Sequence, residues 1–201
     1  ILLIFLTFII HFFPFERASI SPDDYSFYNT EFKGLMNFLI HPHRPFQYVW
    51  FEIQNILIGL NGTFGLYYLY LANIFLILSI YSLYIQFSLN KTEAFIFSFI
   101  YLILINKIEI YHYPYVIHII LSSTAYIISL IFFIQYLNSL KIYKYLFSFI
   151  FFTIGIFWYE NGFFISFIFL YLCLNNKQIN NKLLFKILLP IFTLQIFYIV
   201  Y

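Results

Sequence analysis

Charge is what this sequence most lacks. Only 9% of its 201 residues are Asp, Glu, Lys or Arg, against 63% apolar and 26% aromatic. A soluble domain carries about a quarter charged residues, so a water-facing surface along the whole chain is excluded. Cysteine is almost as scarce. Cys173 stands alone in an apolar run, which leaves no disulfide framework and no thiolate metal cluster. The opening run ILLIFLTFIIHFF lacks the basic start and small-residue cleavage site of a signal peptide and reads as a clipped membrane span. Residue 1 is Ile rather than Met, and the chain stops inside the apolar run LQIFYIVY, so a fragment of a longer protein, truncated at both ends, is expected. The net charge of +2 says little, and no nucleic-acid partner is expected.

What the sequence has instead is long uncharged runs. The excess of Phe, Ile, Tyr, Leu and Asn also follows A/T-rich codons, so the membrane reading rests on those runs and not on the number of phenylalanines. A helix crossing the hydrocarbon core needs roughly 20 mostly apolar residues. After the clipped first span, six stretches fit or approach this, near residues 64–88, 94–106, 114–137, 145–158, 162–175 and 184–201. In lipid each must be helical, because no water satisfies an open backbone. The expected fold is all-α: a polytopic transmembrane helical bundle with a long outer loop carrying short interfacial helices. Its parts would be the end of a first span (1–13), an outer loop (14–62) and six further spans (63–201).

The connecting loops alternate in charge. One set holds Lys91, Lys141, Lys144, Lys177, Lys182 and Lys186 with a single acid, Glu93. The other holds Glu16, Arg17, Asp23, Asp24, Glu31, Lys33, Arg44, Glu52, Lys107, Glu109 and Glu160, four bases against seven acids. Lysine-rich loops face the cytoplasm, which places most carboxylates, and all five histidines (His11, His41, His43, His112, His118), at or near the opposite side. Any chemistry belongs there.

Within the outer loop, SISPDDYSFYN (19–29) sets two carboxylates side by side. A local explanation exists: Ser21 caps a helix, Pro22 takes its first position, and Asp24 closes a capping box at the positive end of the helix dipole. A carboxylate fixed there also stays ionised, as a general base must. Further on, a second short helix starting at Pro45 carries Tyr48, Trp50 and Phe51 beside Glu52, Gln54 and Asn55, a composition suited to the membrane surface. Arg44 sits just before it, where backbone N–H groups also point outward. That is a place to hold a phosphate or to anchor in lipid headgroups. His41 and His43 read as loop residues before they read as metal ligands. The acceptor pattern Asn61-Gly62-Thr63 abuts a span and Asn90-Lys91-Thr92 lies on the lysine side, so neither is expected to be glycosylated.

The order of these features resembles the multispan GT-C glycosyltransferases, especially relatives of the protein O-mannosyltransferases. Those proteins show an acidic pair after the first span, an Arg-Pro-Leu-like motif and a Gly-Leu-Asn-Pro run entering the second span. Here Asp23-Asp24, then Arg44-Pro45-Phe46, then Gly59, Leu60, Asn61, Phe64, Gly65 and Asn73 follow in that order. FIYLILINKIEIYHYPYV is similar to the next outer turn, with Glu109 at its acidic position. GIFWYENGFFISFIFLYL is similar to a later segment, with Glu160 matching its glutamate. Asn106-Lys107 replaces an expected His-Pro, and Tyr159 stands where the family usually has Lys.

The resemblance implies a sugar donor carried on a polyprenyl phosphate or diphosphate, and a glycan, lipid or protein acceptor. It casts Asp23 as general base and Asp24 as its orienting or acceptor-binding neighbour. Arg44, Glu160, Glu109 and His43 would be the substrate- and phosphate-binding candidates. No cofactor is expected, and no residue pattern supports a divalent metal, compatible though one is with such chemistry. The implied setting is a bacterial inner (plasma) membrane, with the site on the periplasmic or extracellular side. For Glu109 and Glu160 the plain alternative is a carboxylate reaching water at a helix end. His118, about a turn inside the fourth span, reads as a buried, hydrogen-bonded histidine rather than a catalytic one. Competing functions are a polymerase or ligase of lipid-linked glycans, a transporter or flippase, and a non-catalytic membrane subunit. A transporter would place polar residues near the midplane and repeat a pair of broken helices, neither of which is legible here.

Overall fold

The computed structural model describes residues 1–12, 62–87, 90–103, 117–159, 162 and 164–200. These are helical apart from short connections: α1 (Leu2–Phe12), α2 (Gly62–Gln86), α3 (Lys91–Ile103), α4 (Ile117–Ser139), α5 (Ile142–Trp158), α6 (Ile165–Asn175) and α7 (Asn181–Val200). No strand occurs among the described residues. Three helices are long and apolar enough to cross a membrane, over Tyr67–Gln86, Ile117–Ser139 and Asn181–Val200. The chain is therefore a membrane protein built as an all-α bundle. Helix α6, at 11 residues, reaches about 16 Å at 1.5 Å per residue, short of the roughly 30 Å hydrocarbon core. α3 and α5 are also shorter than a full span.

Local chemistry sets several helix ends. Asn90 and Glu93 form a reciprocal capping box at the start of α3. The Glu93 N–H donates to Asn90 Oδ1 at 2.8 Å, and the Asn90 N–H donates to Glu93 Oε2 at 3.3 Å. The side chain of Asn90, the acceptor position of one glycosylation pattern, is thus occupied as a cap. Asn180 caps α7 through the Leu183 N–H at 2.9 Å. Helix α4 ends with Leu140 at φ 52, its N–H donating to the Tyr136 carbonyl at 2.6 Å. This is the left-handed stop that usually takes glycine. It lets α5 begin after only Leu140 and Lys141.

Helix α4 is the centre, with most of its length buried, whereas α2 and α7 are mostly uncovered. It runs antiparallel to α5, and the two are joined where the Ser129 hydroxyl donates to the Ser148 carbonyl at 2.7 Å. Such small residues let backbones approach, and in lipid this close packing replaces the hydrophobic drive available in water. Phe133, Phe152 and Phe169, all fully buried, bring α4, α5 and α6 together, with ring centroids 4.3 Å apart for Phe133–Phe169 and 5.6 Å for Phe152–Phe169. On the other flank, Leu69, Ala72, Leu76 and Ile80 of α2 pack with Ile117 and Ile120 of α4. Leu3, Ile77 and Leu102 tie α1, α2 and α3.

Polar groups inside the spans are mostly satisfied within their own helix. Thr7, Asn73, Ser79, Ser98, Thr124 and Thr153 each donate to the carbonyl four residues back, at 2.7 to 3.0 Å. This is the usual refuge of a hydroxyl or amide deprived of water. Large apolar side chains such as Phe147, Phe167, Tyr171, Phe185 and Phe197 stay exposed on the outside of α5, α6 and α7, as a lipid-facing wall requires.

Candidate functional site

The helices alternate in direction, so their ends sort into two groups. Cross-contacts fix the assignment: Tyr136 against Tyr145 and Tyr145 Oη donating to the Ile187 carbonyl at 2.8 Å bring the end of α4 and the starts of α5 and α7 together. Asn176 Nδ2, donating to the Leu137 carbonyl at 3.2 Å, adds the end of α6. Stacking of Tyr84 on Phe97 brings the C-terminal part of α2 alongside α3. All six described lysines and Glu93 belong to helix ends or connections of this group. The seven other carboxylates fall in residues 13–61, 104–116 and 160–161, the segments joined to the opposite termini.

At that opposite end the described residues build one ordered polar cluster. Tyr126 of α4 is 2% exposed, and its hydroxyl donates to the Tyr159 carbonyl at 3.0 Å. Ser122, one turn earlier on α4, donates to the same carbonyl at 3.4 Å. The Tyr159 N–H in turn donates to the Gly155 carbonyl at 2.9 Å, closing the last turn of α5. The buried ring of His118 tilts against that of Tyr159 with centroids 5.2 Å apart. A single peptide group, the one bonded to Glu160, is therefore held by two side chains of the neighbouring helix.

Glycine makes this approach possible. A Cβ on Gly155 would lie 2.7 Å from Cε1 of Tyr126, and one on Gly162 would collide with Cδ2 and Cε2 on the ring's other edge. Gly155 and Gly162 thus lie against the two edges of the Tyr126 ring, each with a hydrogen atom where any other residue carries carbon. Sequence reading singled out Glu160 within that segment but missed Tyr126, Ser122 and the two glycines. The available signal was two of only six glycines bracketing Trp-Tyr-Glu-Asn.

None of the residues assigned a role by sequence is placed by this geometry. Asp23, Asp24, His43, Arg44, Glu109 and Glu160 all lie outside the described residues, as do the two short helices expected in the outer loop. Phe64 and Gly65 of the Gly-Leu-Asn-like run fall in the first turn of α2. Asn73, further along that helix, is buried and bonded to the Leu69 carbonyl at 3.0 Å, a structural role. Among the described residues no group of three His, Cys, Asp or Glu could hold a metal. Compared with known proteins, the chain matches no family model, no curated protein and no solved structure.

Proposed function

We propose that this chain belongs to a membrane glycosyltransferase of the GT-C kind, which moves a sugar from a polyprenyl-phosphate carrier to an acceptor hydroxyl at the membrane face opposite its lysines. The observation that carries the reading is the partition of charge. Six of the eight lysines lie at one end of the bundle, while every carboxylate but the capping Glu93 lies in segments joined to the other. The order of Asp23-Asp24, Arg44-Pro45, Glu109 and Glu160 along those segments supports it through resemblance.

In this mechanism Asp23 accepts the proton of the acceptor hydroxyl as that oxygen bonds to the anomeric carbon. The bond from that carbon to the phosphate oxygen breaks with inversion, and the electron pair leaves with the carrier phosphate. Arg44 offsets the charge growing there. Asp24 orients the base or binds the acceptor. Glu160 follows a peptide group clamped by Tyr126 and Ser122, which suits a binding residue.

The test is turnover of a labelled polyprenyl-phosphate sugar by membranes carrying the protein, with Asp23→Asn and Asp24→Asn beside wild type. Loss of the base should cost at least about 100-fold, and Arg44→Ala should chiefly weaken donor use. Full turnover in both Asn variants at normal expression would overturn the assignment.

A further inference from the structure

The lysine end carries a feature that the proposed chemistry does not use. Helices α5 and α7 run parallel, tied by the Tyr145–Ile187 bond at one end and by the edge-on contact of Phe157 with Tyr198 (6.0 Å) at the other. Both start at the lysine end. α5 opens with Lys141 and Lys144, and α7 with Lys182 and Lys186. Neither has an acid in its first turn, and Lys141 at the α5 cap makes no side-chain capping bond.

This is the reverse of what a helix favours alone, since the positive end of the dipole stabilises anions and repels cations. Among the described residues no carboxylate pairs with these lysines, although Lys144 Nζ donates to the Gln135 carbonyl near the end of α4 at 3.4 Å. Glu93 is the only described carboxylate, and it is engaged in the α3 cap. Lys177, in the turn joining α6 to α7, adds a fifth cation. Among the lysines and just beyond them the same helices expose Ile142, Tyr143, Leu146 and Phe185, apolar surface of the kind that acyl chains cover.

We propose that the paired starts of α5 and α7 form a docking surface for anionic phospholipid headgroups. The phosphate is held between Lys141, Lys144, Lys182 and Lys186, and the acyl chains lie along the exposed apolar side chains. Lysine stems suit this, because they lie along apolar surface while the ammonium reaches the headgroup plane. The exposed apolar side chains among the cations distinguish such a lipid from a free phosphate, which needs none. The inference is independent of the catalytic proposal.

Binding of fluorescent short-chain phosphatidylglycerol and phosphatidylcholine to the detergent-solubilised chain tests it. Phosphatidylglycerol should bind about tenfold more tightly, on the scale of a few lysines near a headgroup, and the preference should shrink with added salt. Lys→Gln at all four positions should bring the two lipids within about twofold of each other, whereas Lys→Arg at the same four should retain the preference. Equal binding of both lipids by wild type, a preference that survives the Gln variant, or displacement by inorganic phosphate at matched concentration would overturn the proposal. So would loss in the Arg variant, which would point to the fold rather than to charge.

Discussion

Leu140 occupies a conformation that side chains avoid, at φ 52. A left-handed residue other than glycine costs roughly 1–2 kcal/mol, and Leu140 returns little through burial, being 42% exposed. Leu140→Gly should therefore stabilise the bundle by about 1 kcal/mol, read as a higher midpoint when unfolding is driven by sodium dodecyl sulfate in mixed micelles. Tyr126 presents the opposite case. Tyr126→Phe removes one neutral hydrogen bond and should cost about 1 kcal/mol, while Gly155→Ala or Gly162→Ala drives carbon into a ring with no room to retreat. Each glycine variant should lose about 1–3 kcal/mol in the same assay. If both alanine variants unfold at the wild-type midpoint, the ring is not held as described.

Among the elements, the α4–α5 pair depends on close approach more than on apolar area. Ser129 and Ser148 are fully buried, with their hydroxyl oxygens 3.2 Å apart. Interhelical hydrogen bonds in lipid average about 0.6 kcal/mol, so Ser129→Ala should weaken the pair by only that much. Ser129→Leu, which separates the backbones, should cost several times more, and double-mutant unfolding with Ser148→Ala would separate the two terms. Helix α7 carries Pro190 in its interior. The missing N–H withdraws the usual donor from the Lys186 carbonyl, one turn from the lysine end. Helices in lipid tolerate this where neighbouring groups and local adjustment satisfy the backbone.

For the molecule as a whole, the alternating helix directions make a claim about sides. With Cys173 replaced by Ser, single cysteines at Ser139 and Gln178, both exposed at the lysine end, should react with an impermeant maleimide from one face of sealed membranes. A cysteine at Thr30, in a segment joined to the opposite termini, should react only from the other. Labelling of all three from the same face would break the charge partition and, with it, the support for an active site opposite the lysines.

Composition and the spacing of charge determined much of this protein. Uncharged runs of membrane length leave the backbone no choice but helix, and the alternation of lysine with carboxylate orders those helices by side. The described helices fall on the stretches read as spans, and three of them are long and apolar enough to cross a membrane. The catalytic pair, Arg44, His43, Glu109 and Glu160 remain a reading of sequence alone, outside the described residues. Tertiary structure decided what no local pattern encodes: that α4 is central, that α5 and α7 lie parallel with four lysines at their starts, and that Tyr126 threads between two glycines. Those facts depend on which helix packs against which, and in lipid that choice turns on the fit of small residues and aromatic rings from distant parts of the chain rather than on hydrophobicity, which every helix here shares.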